Sequence, residues 1–148
     1  MYVLDTSVII EYIDTNGKFH KIANNIFSEI NNGKTLAFIP HVILAETYYV
    51  AVRIYNQLGL SDPDKRAEIL VSWLYSHPFI EIIDKTLDLA IKAGKIKREL
   101  KLALTDCYVL AVSKIKNAIA LFRKREREML RVINVLTKKF NIQFLEDF

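Results

Sequence analysis

The residues that decide the fold are MYVLDTSVIIEYI, positions 1–13, where one apolar run meets an acid and a second apolar run follows. The apolar residues Met1–Leu4 predict a short buried strand. A hydroxyl side chain, Thr6 or Ser7, can then cap a helix over the second apolar run, because it accepts a hydrogen bond from a free amide of the first turn. The stretch therefore predicts a strand that passes directly into a helix, with Asp5 at the junction.

The same alternation of short apolar strands and longer helices continues through the rest of the chain. Further strands are predicted at 36–39, 79–83, 118–122 and 142–145, and further helices at 20–30, 40–58, 62–76, 85–98, 105–115 and 124–139. Strands that are connected by helices run parallel and form a sheet covered on both faces. We therefore expect a three-layer α/β/α sandwich with a mostly parallel sheet of four or five strands, formed by residues 1–148 as a single domain.

The composition agrees with a folded protein that has one core. The 148 residues are 51% hydrophobic and 26% charged, which excludes disorder as the main state. No apolar run is long enough for a transmembrane helix, and an acid follows the first residues too soon for a signal peptide. The single cysteine can form neither an internal disulfide nor a cysteine-based zinc site. We expect a cytoplasmic protein with no membrane segment.

Positive charge is concentrated in the C-terminal half of the chain. The net charge is only +4, but residues 92–139 carry 14 basic and 4 acidic side chains. A basic surface of this kind attracts a polyanion such as nucleic acid. Lysines and arginines on a solvated helix face would give the same count, so the charge by itself leaves both interpretations open.

Three acids lie next to a strand end or within apolar helices, and their presence there needs an explanation. Asp5 follows the first strand, at the carboxyl edge of the sheet, where ligands bind in parallel α/β folds. Glu46 lies in the helical segment 42–52, which is apolar nearly all round, so its carboxylate is unfavourable there without a cation or several donors. Asp106 lies in the first turn of another apolar helix.

Each of these acids also has a purely structural interpretation. Asp5 could cap the first helix, although the two hydroxyl residues that follow it make this unnecessary. Glu46 could pair with Arg53, two turns further along its helix. Asp106 could simply follow a Thr105 cap, where the helix dipole favours an acid.

Taken together, the three acids predict a metal site. If their carboxylates converge at one edge of the sheet, their repulsion raises their pKa values and destabilises the fold unless a cation offsets it. Oxygen ligands without histidine or cysteine select Mg²⁺ or Mn²⁺. Beside a basic surface, such a site suits phosphodiester hydrolysis, because the metal activates a water and stabilises the leaving oxygen.

At these residues the chain strongly resembles the PIN-domain nucleases, and in particular the small VapC-type toxins of type II toxin–antitoxin modules. The matching segments are VLDTSVII at 3–10, the residues from Ile39-Pro40 to Ala45-Glu46, and LTDCYVLA at 104–111. Each segment alone is a weak signal, whereas all three in this order are specific. With the helices between them, they extend the resemblance over nearly the whole chain.

The resemblance implies an α/β/α sandwich and a Mg²⁺- or Mn²⁺-dependent endoribonuclease. Such proteins are usually homodimers, and a cognate antitoxin holds them inactive. On this match Asp5, Glu46 and Asp106 are metal ligands and carry the catalysis. The supporting hydroxyl residues are Thr6, Ser7 and Thr105, with the first two resembling residues that hydrogen-bond the first aspartate.

The chain departs from the family pattern at a fourth acid. The family often carries that acid just after the fourth strand, in a Thr/Ser-x-Asp turn, and here Lys124 occupies the position. Glu126 is a candidate replacement and Glu128 a weaker one, against the alternative that both lie on an exposed helix of mixed charge. The same region holds the densest basic run, which we expect to contact RNA phosphates: Arg123, Lys124, Arg125 and Arg127.

Two other functions compete with the ribonuclease. The altered fourth position is consistent with a catalytically weak or inactive module that binds RNA or a protein partner. A phosphoryl-transfer enzyme with Asp5 as nucleophile would also use Mg²⁺, but it normally needs a second acid where this chain has Ser7. We therefore expect a metal-dependent endoribonuclease whose partners are RNA, an antitoxin and a second copy of itself.

Overall fold

The computed structural model describes all 148 residues, Met1–Phe148. The elements, in chain order, are β1 (Tyr2–Leu4), α1 (Thr6–Ile13), α2 (His20–Asn31), β2 (Ala37–Pro40), α3 (His41–Gln57), α4 (Pro63–Ser76), β3 (Ile80–Ile83), α5 (Leu87–Leu100), α6 (Leu104–Lys116), β4 (Ile119–Phe122), α7 (Arg127–Lys139), β5 (Ile142–Phe144) and a final 3-10 turn (Leu145–Asp147). This is the order of strands and helices that the apolar runs predict. None of the helices combines the length and the apolar character that a membrane crossing requires.

The five strands form one parallel sheet in the order β3-β2-β1-β4-β5. The helices α1 to α4 pack on one another, α5 packs on α6, and helices of both groups contact the sheet. The predicted three-layer α/β/α architecture is confirmed. The strand order reverses between β1 and β4, and in parallel sheets the crevice at this reversal is where ligands bind.

Burial explains why the apolar runs become strands. Val3 and Leu4 are fully buried in β1, and all four residues of β2 are buried. A sheet with helices on both faces buries consecutive residues, so its inner strands are continuously apolar rather than alternating. The core continues from these strands into the helices as one cluster of 37 buried residues, and the site lies at its rim.

The basic run after β4 does not form the start of a helix. We predict a helix from residue 124, but α7 begins at Arg127 with Glu126 as its N-cap. Residues 123–126 form a turn that leads from the end of β4 to the helix. The expectation of a helix at Lys124 and Arg125 is therefore wrong, because the C-terminal turn holds the backbone at Arg123 and Arg125.

The C-terminal turn holds Arg125 in place from outside the sheet. The carboxylate of Glu146 accepts hydrogen bonds from the Arg125 amide at 2.8 Å and from its guanidinium at 2.9 Å, and Asp147 accepts two more at 2.7 and 2.6 Å. The guanidinium also lies 4.4 Å from the ring centre of Phe144. The Glu146 amide in turn donates to the carbonyl of Arg123 at 3.2 Å. These contacts fix the backbone of the turn beside the end of β4.

Gly33 and Gly59 both have a left-handed backbone, and alanine substitution at each of them tests how tightly the surrounding residues pack. Gly33 (φ +69°) leaves no room for a Cβ, which would lie 2.8 Å from Cζ of Phe79, whereas Gly59 (φ +70°) has nothing within 4 Å. We expect Gly59→Ala to lower the free energy of unfolding by about 1–2 kcal/mol through backbone strain alone. Gly33→Ala should lower it further, because the Phe79 ring must also move. Urea unfolding of both variants measures this difference, and equal losses would show that the ring yields without cost.

Candidate functional site

A cleft of about 560 Å³ opens at the carboxyl edge of the sheet, where β1 and β4 end side by side. The acids Asp5, Glu46 and Asp106, from three distant parts of the chain, all line it. The full lining holds seven acidic and three arginine side chains, a formal excess of four negative charges, and neither histidine nor cysteine. The cleft is therefore a strongly acidic site with oxygen donors only.

Asp5 forms the N-cap of α1. Its Oδ2 atom accepts the amide of Ser7 at 2.8 Å and also the Ser7 hydroxyl, and the residue is 6% exposed. The expectation that Thr6 or Ser7 caps this helix is wrong, because both lie inside the first turn and Asp5 alone precedes it. Both of these hydrogen bonds go to the same carboxylate oxygen, Oδ2.

Glu46 is held by two threonine hydroxyls rather than by a cation. Thr6 donates to Oε2 at 2.5 Å, and Thr105 donates to Oε1 at 3.4 Å. Thr6 thus supports Glu46, while Ser7 supports Asp5. The alternative ion pair with Arg53 is absent: Arg53 lines the same cleft, is exposed, and makes no salt bridge to Glu46.

Asp106 lies in the first turn of α6 and accepts no hydrogen bond from the protein. The N-cap of this helix is Ala103, which provides no side-chain hydrogen bond, so the expectation that Thr105 is the cap is wrong. Thr105 lies within the helix, and its hydroxyl reaches Glu46 instead. The half-buried Asp106 carboxylate thus faces the cleft with only the helix dipole to favour its charge.

Burial and neighbouring charges raise the pKa values of Asp5 and Asp106. Burial raises the pKa of Asp5 to about 6; the Ser7 hydrogen bonds oppose this shift, and the nearby charge of Glu46 adds to it. Burial also raises the pKa of Asp106 to about 8, and the charges of Asp5, Glu46, Glu128 and Glu126 add to that shift. Near neutral pH this cleft therefore favours bound protons or a bound cation.

The donor set fits Mg²⁺ or Mn²⁺. Carboxylates and hydroxyls are hard oxygen ligands, and the cleft offers no nitrogen or sulfur ligand that would favour zinc. No three acidic, histidine or cysteine side chains lie close enough together to form a ready-made metal cage. Mg²⁺ does not require one, because it usually keeps several waters and binds directly to only one or two carboxylates.

The two candidates for a fourth acid both line the cleft, and both are exposed. Glu126 Oε1 lies 3.8 Å from Arg123 Nη2 and 4.0 Å from Lys124 Nζ, so neighbouring cations partly offset its charge. Glu128 lies in the first turn of α7 and makes no salt bridge. Glu126 is the N-cap of α7 and Glu128 lies in its first turn, so both the structural alternative and a role at the cleft remain open for each.

The four basic residues that follow β4, three in the turn and Arg127 at the start of α7, differ in position. Arg123 and Arg127 line the cleft, whereas Lys124 and Arg125 do not. The Arg125 guanidinium is bound by the C-terminal acids. Only part of the basic run therefore faces the acids.

Two cleft residues were missed as functional candidates. Glu11, on α1, is 4% exposed and pairs with Arg123, with 3.4 Å between Oε1 and Nη1. Its signal in the sequence is the same as that of Glu46, an acid inside an apolar helical run. Arg53 was considered only as a partner for Glu46, and no local pattern separates a cleft arginine from an exposed one.

Comparisons with known proteins agree with this geometry. A family model described as PIN domain matches residues 2–133. No curated protein matches the chain significantly.

Several solved structures share the fold. VapC20 from Mycobacterium tuberculosis, described as a sarcin-ricin loop cleaving toxin, is 16% identical with a TM-score of 0.63, covering 81% of this chain and 87% of that chain. VapBC2 from Rickettsia felis, bound to a DNA fragment from its promoter, is 18% identical with a TM-score of 0.62, covering 97% of both chains. A toxin–antitoxin complex from Klebsiella pneumoniae is 14% identical with a TM-score of 0.60, covering 98% of both chains. At these identities the likeness establishes the fold.

The raised pKa of Asp106 predicts a stability that depends on pH. The folded chain holds the Asp106 proton up to a pKa of about 8, whereas an ordinary carboxyl loses it near 3.8. The folded state therefore binds more protons between these values, and its free energy of unfolding falls as the pH rises through this range. In EDTA, we expect Asp106→Asn to have a higher Tm than the wild type at pH 8, with a smaller difference at pH 5.

The matched control is Asp88→Asn, since Asp88 lies on the surface of α5 beside Lys92 and outside the cleft. Its Tm difference from the wild type should not grow between pH 5 and pH 8. A wild type that is more stable than Asp106→Asn at pH 8 in EDTA would contradict the raised pKa of Asp106.

Proposed function

Since the chain belongs to the PIN domain family, we propose that it is a Mg²⁺- or Mn²⁺-dependent endoribonuclease and the toxin of a VapBC-type toxin–antitoxin module. The observation that carries this proposal is the convergence of Asp5, Glu46 and Asp106 on one cleft at the reversal of the strand order. The similar structures support it, because one is described as a sarcin-ricin loop cleaving toxin and another as a toxin–antitoxin complex.

All three acids take part in the proposed chemistry. Asp5, Glu46 and Asp106 would hold the metal, and the hydroxyls of Thr6 and Thr105 orient Glu46. When bound, the ion would lower the pKa of a water and would stabilise charge on the leaving oxygen. One of the three carboxylates accepts the proton of that water. Hydrolysis then leaves a 5′-phosphate and a 3′-hydroxyl, as the family resemblance implies.

RNA binding is assigned to the arginines that border the acids. Arg123 and Arg127 line the cleft, Arg53 on α3 also lines it, and Lys124 lies beside Glu126. A guanidinium binds phosphate oxygens through two parallel N–H donors. Arg125 contributes by holding the turn, because the C-terminal acids already engage its guanidinium.

An antitoxin and a second copy of the chain are the proposed protein partners, in the cytoplasm, with residues 1–148 acting as one domain. The surface offers large exposed apolar side chains for such contacts. They include Tyr49, Ile69 and Tyr75 on α3 and α4, and Leu87, Ile91 and Leu104 on α5 and α6. Apolar and aromatic side chains of this kind are enriched at the centres of protein interfaces.

A second candidate is a binding module that keeps the fold without cutting RNA. It is favoured by Lys124 in place of the usual fourth acid and by the exposure of Glu126 and Glu128. Such a module would hold RNA or a partner at the same edge of the sheet. It differs from the nuclease in needing no metal, so metal binding and cleavage separate the two functions.

The nuclease predicts cleavage that depends on the cleft acids. Purified protein should cut RNA in Mg²⁺ or Mn²⁺, and EDTA should stop the reaction. Asp5→Asn and Asp106→Asn should each lower the rate at least about 100-fold, because even outer-shell changes at metal sites cost 10–100-fold. The surface variant Asp88→Asn should cleave like the wild type. Equal cleavage by all variants would indicate a contaminating nuclease or a wrong site.

Metal binding predicts a thermal shift that does not depend on turnover. A ligand that binds only the folded state at 100 times its Kd stabilises it by about 2.7 kcal/mol, so Mn²⁺ should raise the Tm. Asp5→Asn and Asp106→Asn should remove most of this shift. Glu126→Gln should reduce it if Glu126 is a ligand and leave it unchanged if water takes that place. The absence of any shift in the wild type would favour the binding module.

A further inference from the structure

We propose that Glu11 is a positioning residue that holds the Arg123 guanidinium at the cleft, where Arg123 binds a phosphate of the RNA backbone. This inference rests on the proposed ribonuclease function and adds a role for a buried acid that the metal chemistry does not use. It also distinguishes Arg123 from the other basic residues of its turn.

Glu11 is a buried carboxylate with a cradle built around it. Its Oε2 atom accepts the amide of Phe19 at 2.9 Å, and its Oε1 atom faces Arg123 Nη1 at 3.4 Å. Gly17 completes the cradle, since a Cβ at that position would lie 2.4 Å from Oε2. Burying a carboxylate is unfavourable unless donors and a cation meet it, and here the amide and the guanidinium do so.

Arg123 is fixed at both its backbone and its side chain. Its amide donates to the Ser7 hydroxyl at 3.1 Å, which itself donates to Asp5, so its backbone is connected to the first cleft acid. Its carbonyl accepts the amide of Glu146 at 3.2 Å. The side chain remains 37% exposed, and Nη2 has only a distant partner, Glu126 at 3.8 Å. The N–H donors of Nη2 are therefore available to a ligand.

The acidic cleft repels the phosphates of RNA, and the fixed guanidinium of Arg123 offsets this repulsion. The lining carries four more negative than positive charges, so a phosphate is repelled unless a fixed cation faces it. Without Glu11, the guanidinium would turn towards Glu126, its other neighbouring acid. Because Glu11 holds it in advance, Arg123 loses less conformational freedom when the phosphate binds.

The ion pair between Glu11 and Arg123 is not explained by its contribution to folding stability alone. A partly exposed ion pair contributes about 0–1 kcal/mol to folding, which is small against the cost of burying Glu11. The guanidinium Nε is also buried without a hydrogen-bond partner. Arg127 shows the contrast, because it lines the same cleft but has no carboxylate that holds it.

The test is a double-mutant cycle on RNA cleavage in Mg²⁺. Arg123→Ala should raise KM about tenfold with a smaller change in kcat, as expected for one lost charge-assisted phosphate contact. Glu11→Gln keeps an acceptor for the Phe19 amide and should raise KM by a similar factor. The double variant should be no worse than Arg123→Ala, because both changes remove the same contact.

Arg127→Ala is the matched control for the cycle. Its effect on KM should multiply with that of Glu11→Gln, since Glu11 does not contact it. A wild-type KM in either Glu11→Gln or Arg123→Ala would overturn the proposal. So would effects of these two changes that multiply in the double variant, which is the result for an acid that only supports the fold.

A second pair of variants disturbs Glu11 without changing any charge. Gly17→Ala places a methyl group against the Glu11 carboxylate, whereas Gly94→Ala, on α5, meets nothing within 4 Å. Gly17→Ala should raise KM, and that rise should disappear in the Arg123→Ala background, while Gly94→Ala should match the wild type. A Gly17→Ala variant with a lower Tm and an unchanged KM would count against positioning.

Direct RNA binding separates failure of this inference from failure of the proposed function. If the wild type does not cleave RNA, binding of a labelled single strand in EDTA is measured as a function of salt. Loss of one phosphate contact should lower the slope of log K against log salt by about 0.7 in Arg123→Ala and in Glu11→Gln. Unchanged slopes would overturn the inference. A wild type that neither cleaves nor binds RNA would overturn both proposals.

Discussion

Mutual repulsion of the carboxylates at the carboxyl edge of the sheet is the constraint on which the rest of the site depends. Asp5, Glu46 and Asp106 are brought there by β1, α3 and α6, which pack through the apolar core. The packing buries these charges close together, and burial, to which their proximity adds, raises the pKa values of Asp5 and Asp106. The concentrated negative charge thus destabilises the folded state, and a bound cation can reduce this effect.

Hydroxyl groups determine how this charge is arranged. Ser7 accepts the amide of Arg123 and donates to Asp5, so it joins the end of β4 to the end of β1 across the cleft. Thr6 and Thr105, from two different helices, orient Glu46. A small hydroxyl can accept from a backbone amide and donate to a carboxylate at the same time. Asp5 and Glu46 are therefore oriented without using the cations that border the cleft.

Much of the fold followed from local patterns, and the errors lie at helix starts. The apolar runs give the right order of elements and a parallel sheet. The start of α7 was predicted at 124 instead of Arg127, because the turn before it is held by Glu146 and Asp147, about twenty residues further along the chain. The caps of α1 and α6 were also assigned one or two residues late, because each hydroxyl instead contacts a carboxylate of the cleft.

The amino-acid sequence by itself determined which segments are buried and which of them carry an acid, because burial follows from the spacing of apolar residues along a single element. It did not determine which side chains meet. That Glu46 binds two threonines rather than Arg53, and that Glu11 holds Arg123, was decided by the tertiary structure. Contacts of this kind depend on how distant elements pack and turn against one another, and periodicity shows only which face of a helix is buried.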